Sequence, residues 1–188
     1  MTPDIHVDLV QSRVTTSRLR LLPATVTALE AELRHDHAAL AELLPAQIPF
    51  GWPPHLYDDD ACLYSLNKLR ESPAPATWWT WYILLRRAEG KPHLVGVGGF
   101  KGPPANGLVE IGYGIVGEFQ RHGYATEAAA GLVCWAHAHP KVRIVAAHTL
   151  PELTASIRVL EKNGFVRRGT PAEEGAIRFE LDLPPLAG

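Results

Sequence analysis

The amino-acid sequence predicts a single-domain α+β fold in which one mixed central β-sheet is flanked by helices on both faces. The chain has 188 residues, a length that suits one domain with a sizeable core. Apolar or alternating segments of strand length come between longer segments with helical spacing. Their order places three antiparallel strands before a strand–helix–strand crossover and a closing hairpin, which is typical of the α+β class.

In the first half of the chain, caps and turn residues locate the predicted elements. Thr25 or Thr27 is a candidate N-cap for a helix that contains Leu29 and Leu33. Proline and glycine crowd residues 45–54, which indicates a loop. The elements expected in order are a loose leader (1–14), a strand (18–22), two short helices up to residue 44, the loop, a helix (57–71) and two hairpin strands (78–87 and 94–101).

In the second half, one strand leads through a glycine-containing loop into a helix, and a crossover strand follows. Thr154 is a candidate N-cap for the last helix, and Gly164 is the expected left-handed residue that ends it. The elements expected in order are a strand (108–116), a helix (126–138), a buried strand (142–148), a helix (154–163) and two closing strands (165–168 and 176–183). The domain is expected to span 15–183, with a tail at 184–188.

Composition limits the function classes. The net charge is −2 and no long basic run occurs, so bulk electrostatics do not favour direct binding of nucleic acid. No apolar run approaches the roughly 20 residues that cross a bilayer, and no signal peptide is indicated. Two distant cysteines favour a reduced, cytoplasmic protein without a disulfide framework. The protein is expected to be a monomer or a homodimer. The paired histidines at 35/37 and 137/139 would point to different helix faces, so no metal site is expected.

The loop from Gln120 to Ala125 is the main functional signal. It follows an apolar strand and leads into a helix, an arrangement that directs backbone N–H groups and the helix dipole at one point. The ligand implied is a phosphate or pyrophosphate. Residues 112–117 also match the dinucleotide pattern G-x-G-x-x-G, but the helical pattern starts only near Ala125. A nicotinamide oxidoreductase is therefore the less favoured alternative.

The same loop resembles a known family. Gln120, Gly123 and Ala125 fill the three constrained positions of the pyrophosphate-binding pattern of the GNAT superfamily of N-acetyltransferases. The chain further resembles the branch that acetylates the N-terminal amines of ribosomal proteins, over about residues 16–183. The segments that carry this similarity are 17–21, 110–113, 123–128 and 156–165. One departure is Leu153, where that branch usually has asparagine.

The resemblance implies a GNAT-like fold and acetyl-CoA as the acetyl donor. Strand 108–116 is expected to pair with the pantetheine arm, and a backbone N–H near Ile115 or Val116 to polarise the thioester carbonyl. The pyrophosphate is expected to lie against Gln120, Arg121, His122, Gly123, Tyr124, Ala125 and Thr126. Arg121 is equally consistent with a solvated surface position.

Acetyl transfer also needs a base for the amine and a proton for the leaving thiolate. Glu110 and His148 are the candidate bases, and each also has a structural interpretation, as a strand-surface or strand-end residue. Ser156 is expected to contact the cofactor or to protonate the thiolate, with helix capping as the alternative. Neither cysteine suggests a covalent intermediate, so direct attack in a ternary complex is expected.

Two residues are candidates for binding the acceptor. Trp52 is interpreted either as a pocket wall or as a loop anchor, and Tyr113 as pocket wall or core. The predicted acceptor is a primary amine, more specifically a protein or peptide N-terminus. The alternatives are a small amine, such as an amino acid, a polyamine or an antibiotic, and a non-catalytic module that only binds acetyl-CoA.

Overall fold

The computed structural model describes residues 4–71, 75–171 and 174–185. These ranges form one sheet of nine strands and five α-helices, which confirms the predicted α+β class. The strands are β1 (His6–Asp8), β2 (Arg13–Thr15), β3 (Leu19–Pro23), β4 (Thr80–Leu85), β5 (His93–Phe100), β6 (Leu108–Ile115), β7 (Ile144–Thr149), β8 (Val166–Arg167) and β9 (Ile177–Asp182). The helices are α1 (Val26–Leu33), α2 (His37–Leu43), α3 (Asp59–Glu71), α4 (Tyr124–His137) and α5 (Thr154–Lys162).

The sheet has the strand order β1-β2-β3-β4-β5-β6-β7-β9-β8. Every neighbouring pair is antiparallel except β6 and β7, which are joined through α4 and run parallel. The mixed sheet expected from the sequence is therefore confirmed.

Two hydrophobic clusters cover the two faces of the sheet. On one face, Leu132 and Trp135 of α4 pack with Ile111 of β6. On the other face, Leu29 of α1 packs with Tyr82 of β4 and with residues of α2 and α3. Helices thus lie on both faces, as the sequence predicted, and β6 is positioned between the two clusters.

Side-chain caps fix where the first three helices begin. Thr25 Oγ1 accepts a hydrogen bond from the Ala28 N–H at 3.2 Å, and Asp36 Oδ1 accepts from the Ala39 N–H at 3.0 Å. Asp58 Oδ1 accepts from the Ala61 N–H at 2.9 Å. Helix α3 therefore begins at residue 59, two residues later than the sequence pattern suggested.

The N-terminal segment differs from the loose leader expected over residues 1–14. From His6 onward it forms β1 and β2, which pair with each other and with β3. Val14 is fully buried in the cluster beneath α4, so these short strands add to the core. Residues 1–3, and residues 186–188 of the expected tail, lie outside the described ranges. No helix in the described ranges is long and apolar enough to cross a membrane.

Candidate functional site

Strands β6 and β7 pair at their first residues and then separate. Their parallel pairing joins Leu108–Glu110 to residues 144–146. Beyond it, β6 remains paired with β5 up to Ile115, and β7 remains paired with β9 up to Thr149. The sheet therefore has a gap between residues 111–115 and 147–149.

The hydrogen bonds of β6 show which backbone groups face this gap. The Lys101 N–H donates to Glu110 O, and at the other end the Val116 N–H donates to Val95 O, each at 2.9 Å. Hydrogen-bonded pairs alternate along an antiparallel ladder. The odd-numbered positions of 111–115 consequently direct their N–H and C=O groups away from β5 and into the gap.

This alternation separates the two expected thioester donors. Ile115 directs its N–H into the gap and stays a candidate. Val116 is wrong for this role, because its N–H already bonds Val95 O and its side chain is buried beside the helices of the other face.

The predicted phosphate loop follows β6 directly. Gln120 Nε2 donates to Ile115 O at 3.0 Å, which holds the loop against the strand end. Arg121 and Gly123 both have left-handed backbones, with φ of +64° and +81°. Alternation of this kind turns successive N–H groups toward one concave face. The first bond of α4 runs from Glu127 N–H to Gly123 O, so the N–H groups of 124–126 are not used within the helix.

His122 differs from its loop neighbours in its position, and its expected contact with the pyrophosphate stays a prediction. Within loop 120–126, all of which the structure describes, His122 alone lies outside the cavity lining. Its Nδ1 lies 2.7 Å from Gln120 O and its ring stacks on Tyr124. Its contribution is a backbone one, because its carbonyl accepts from Arg18 Nη1 at 2.9 Å.

Arg18 and Glu127 support the loop from below. Arg18 Nε donates to Glu127 Oε2 at 2.7 Å, while its guanidinium lies over the Tyr124 ring. Glu127 Oε1 accepts from the Arg18 N–H at 2.8 Å and from Thr16 Oγ1 at 2.5 Å. Burial alone would raise the pKa of Glu127, but these hydrogen bonds and the Arg18 charge hold it below its usual range.

The two candidate bases lie together on the face of the sheet that carries α3. His148 Nδ1 lies 3.0 Å from Glu110 Oε1, and Lys101 forms an ion pair with the same oxygen. Both Glu110 and His148 are largely buried. Burial would raise the pKa of Glu110, but the contacts of Lys101 and His148 outweigh it and the pKa is lowered. Glu110 is therefore an ionised partner for the imidazole.

Ser156 and Tyr113 meet on the opposite side of the gap. The Tyr113 hydroxyl donates to Ser156 O at 3.3 Å and lies 3.4 Å from Ser156 Oγ. Burial raises the pKa of Tyr113 to about 12 although the Ser156 contact lowers it, so the phenol stays protonated at neutral pH. Ser156 is not a cap: the N-cap of α5 is Leu153 rather than Thr154, and it supplies no side-chain hydrogen bond.

Trp52 is the loop anchor rather than a pocket wall. Its side chain is buried, and its Nε1 donates to Glu32 Oε1 at 3.0 Å. The Tyr57 and Tyr82 hydroxyls both donate to Glu32 Oε2. Burial, only partly offset by these bonds, raises the pKa of Glu32 to about 7. The loop before α3 is thus attached to α1 and β4 through one buried carboxyl group.

Three cavities meet around β6. The loop cavity, of about 490 Å³, lies between loop 120–126 and α5. The splay cavity, of about 460 Å³, lies in the gap and is lined by His148 and Ser156 among others. The aromatic cavity, of about 390 Å³, lies between α3 and the strands β5 and β6. Leu56 and Tyr113 line all three, so the cavities adjoin at these residues.

Comparison with known proteins identifies the family to which this arrangement belongs. Residues 18–166 match the family model described as an acetyltransferase (GNAT) domain. An uncharacterized N-acetyltransferase of Bacillus subtilis (strain 168), YjdG, is 31% identical over 159 residues, which make up 84% of this chain and 92% of that protein. The chain belongs to the GNAT acetyltransferase family.

Solved GNAT structures share the fold. RimL, a ribosomal L7/L12 alpha-N-protein acetyltransferase in complex with coenzyme A, has a TM-score of 0.62 at 17% identity, with 96% of this chain and 98% of that chain covered. The microcin C7 self-immunity acetyltransferase MccE, in complex with acetyl-CoA and AMP, has a TM-score of 0.58 at 15% identity, with 89% of this chain and 93% of that chain covered. A GNAT acetyltransferase from Bacillus anthracis has a TM-score of 0.60 at 19% identity, with 90% of this chain and 98% of that chain covered.

The sequence analysis missed several residues of this GNAT site. Lys101 follows a strand and carries no motif, and Glu32 looks like an ordinary helix residue. Glu127 lies in the segment 123–128, and the signal that could have identified it is a charged residue in a largely apolar helix. Residues 112–117, the dinucleotide alternative, are strand β6 and the turn after it, so they do not open a helix. Among the described residues, no three His, Cys, Asp or Glu side chains cluster to hold a metal ion.

Proposed function

We propose that this chain transfers the acetyl group of acetyl-CoA to a primary amine and that the acceptor is a protein or peptide N-terminus. One observation carries the proposal: an unpaired strand edge in the β6–β7 gap leads directly into an anion-binding loop. A ligand that fits both parts is a long hydrogen-bonding arm that ends in phosphates, which is the chemistry of coenzyme A. RimL and MccE, which share the fold, are complexed with coenzyme A and acetyl-CoA.

The charges of the loop cavity fit this ligand. Among the described residues that line it, Arg121, Arg158 and Lys162 are cations, and none carries a carboxylate. The backbone N–H groups of 124–126 and the left-handed Gly123 add hydrogen-bond donors without side-chain bulk. Gln120 supports the loop from Ile115 O, and Tyr124, Ala125 and Thr126 complete the wall.

In the proposed reaction the neutral amine attacks the thioester carbonyl carbon. A C–N bond forms, the C–S bond breaks, and the amine loses one proton while the sulfur gains one. The Ile115 N–H stabilises the oxyanion, and His148 accepts the amine proton through Nε2. Ser156, whose Oγ lies beside the protonated Tyr113 hydroxyl, donates its hydroxyl proton to the departing thiolate and is reprotonated with the proton that the amine released to His148.

Glu110 acts through His148. Its carboxylate lies at Nδ1 of the imidazole, which favours the tautomer with the proton on Nδ1 and the basic lone pair on Nε2. Because the pKa of Glu110 is lowered, the carboxylate stays ionised and stabilises the imidazolium that forms. An α-amine, with an unperturbed pKa of about 7.7–8.0 against about 10.4 for lysine, needs only such a modest base.

No residue in a described cavity suggests an acetyl-enzyme. Cys134 lies in α4, where burial raises the pKa of its thiol, and Cys62 donates to Leu29 O within the core. Both observations favour direct transfer in a ternary complex.

The test combines acetyl-CoA binding with turnover. Calorimetry should show that Gly123→Val weakens acetyl-CoA binding by tenfold or more, because a branched side chain is strained at this φ and would press on Arg18, whose Nη2 lies 3.5 Å from the position of the added Cβ. Release of free thiol should depend on a peptide with a free N-terminus. Double-reciprocal plots of the initial rate, with acetyl-CoA and peptide varied, should intersect, as expected for a ternary complex. Unchanged affinity in Gly123→Val would contradict the cofactor site. Binding without thiol release would favour a non-catalytic module, and a polyamine as the best acceptor would favour the small-amine alternative.

A further inference from the structure

The aromatic cavity has a lining that discriminates among amine acceptors. Tyr57 and Tyr64 form its aromatic walls, and Lys101 is the one Lys, Arg, Asp or Glu residue within its described lining. The Ser65 and Thr80 hydroxyls are buried but bond each other at 2.7 Å, so the floor needs no polar partner. Such a cavity accepts an apolar group. An ammonium group entering it would lose its hydration with no carboxylate to compensate.

Gly112 lies where this cavity adjoins the splay cavity. It lines both, as do Lys101 and Tyr113. A Cβ built on Gly112 would meet no atom within 4 Å, and no left-handed φ requires glycine there. By contrast, Gly99 has a φ of +139°, and its Cβ would lie only 2.0 Å from Trp79 O. The fold therefore requires glycine at 99 but not at 112, where the missing side chain leaves open space.

We propose that the aromatic cavity binds a bulky apolar side chain on the amine-bearing residue of the acceptor, and that Gly112 keeps open the passage from this cavity to His148. The inference rests on the proposed function and specifies its substrate class, namely peptides that begin with an aromatic or large aliphatic residue. With the side chain among the tyrosines, the α-amine crosses Gly112 and reaches the splay cavity, where His148 accepts its proton. The cavity, of about 390 Å³, is within the usual size range of small-ligand pockets.

The first arm of the test varies the acceptor. Otherwise identical peptides that begin with Phe, Leu, Ser, Asp or Lys, together with spermidine, are compared by kcat/KM. The Phe and Leu peptides should exceed the Ser peptide by tenfold or more, the scale expected when several buried methylene groups distinguish two substrates. Equal rates, or a better rate with Ser, Lys or spermidine, would overturn the inference and leave acetyl transfer itself intact. No thiol release with any peptide and no binding of acetyl-CoA would overturn both.

The second arm fills the passage. Gly112→Ala and Gly112→Val should reduce kcat/KM for the Phe peptide progressively, mainly through KM, while acetyl-CoA affinity and melting temperature stay unchanged. Gly117→Ala is the matched control, because a Cβ there also meets nothing within 4 Å and Gly117 lines none of the three cavities. An unchanged Phe-peptide KM in Gly112→Val, or an equal loss in Gly117→Ala, would overturn the role of Gly112.

Discussion

Two buried glutamates, one on each side of the site, respond to burial in opposite ways. Glu127, beneath the phosphate loop, and Glu32, beneath the loop before α3, are each 8% exposed. Burial alone would raise both pKa values. In Glu127 the hydrogen bonds and charge of Arg18 outweigh it and the pKa is lowered, whereas Glu32 has only neutral donors and its pKa rises to about 7.

The difference shows that burial does not by itself decide the charge of a carboxyl group. Arg18 helps to keep the Glu127 carboxylate, which supports the phosphate loop, ionised at neutral pH. The Trp52 and Tyr82 donors stabilise the Glu32 carboxylate less than burial destabilises it. The cofactor side should therefore be insensitive to pH near neutrality, while the attachment of the acceptor-side loop should change there.

The largest effect should come from His148, because neither buried glutamate lines the splay cavity whereas His148 does. His148→Ala removes the proton acceptor and should reduce kcat/KM by roughly 10²–10⁴-fold, with acetyl-CoA affinity unchanged. Steady-state kinetics with a peptide acceptor, beside calorimetry, measure both quantities. Glu110→Gln, which keeps the His148 imidazole, should reduce kcat/KM by a smaller factor. A loss under about tenfold in His148→Ala would assign the proton to another group.

The next largest effect is the pH dependence that Glu32 contributes to stability. Its folded pKa, about 7, lies above the unfolded value near 4.5. The folded state therefore binds more protons between these values, so this contribution is complete below about pH 4.5 and is lost as pH rises toward 7. The loss should be on the order of 3 kcal/mol in the free energy of unfolding.

Glu32→Gln tests this pH dependence without removing the side chain. Urea unfolding at pH 5, 6, 7 and 8 should show that the variant loses less stability with rising pH than the wild-type chain. The neighbouring ionisable groups, Asp59, Tyr57 and Cys62, are retained in both proteins. Parallel pH curves for the two proteins would show that Glu32 does not titrate in this range.

A smaller effect on stability is expected at Glu127, whose carboxylate is paired with Arg18. Arg18→Met removes the guanidinium and leaves Glu127 with two neutral donors, the Thr16 hydroxyl and the backbone N–H of residue 18. This variant should destabilise the fold by about 2 kcal/mol, less than for a fully buried pair because the guanidinium is partly exposed. Acetyl-CoA affinity should fall as well, since Arg18 also holds His122 O. Arg70→Met, which breaks the exposed pair with Glu30, is the control and should cost less than about 1 kcal/mol. Equal costs in the two variants would contradict the buried-pair argument.

The geometry of loop 120–126 could be anticipated from the sequence because it is local. The loop, its left-handed Gly123 and the helix start all lie within a few residues, so the spacing itself carries the geometry. The choice between Ile115 and Val116 could not be made, because it depends on which residues of β6 form hydrogen-bonded pairs with β5. Which residues of β6 pair in this way is set by bonds between strands, such as the bond from Val116 N–H to Val95 O.

The hydrogen bonds around Glu32 could not be anticipated, because they join distant residues. Glu32 meets Trp52, Tyr57 and Tyr82 across 20, 25 and 50 residues of chain. No local pattern marks a carboxylate that packing will bury. The short strands β1 and β2 were missed for a related reason, since three-residue segments have too few positions to show alternation and depend on β3 for pairing.

The smallest predicted effect concerns Leu153, the departure from the asparagine typical of the resembled branch. Leu153 is the N-cap of α5 and supplies no side-chain hydrogen bond, so Ser156, the third helical residue, lacks the usual capping acceptor for its N–H. Leu153→Asn should stabilise the fold by about 0.5–1 kcal/mol, because the gained cap is partly offset by lost apolar contacts. Leu153→Ala, which removes those contacts without adding a cap, is the matched control and should be destabilised. Urea unfolding compares the three proteins, and if the asparagine variant is no more stable than the alanine variant, the helix N-terminus is satisfied in another way.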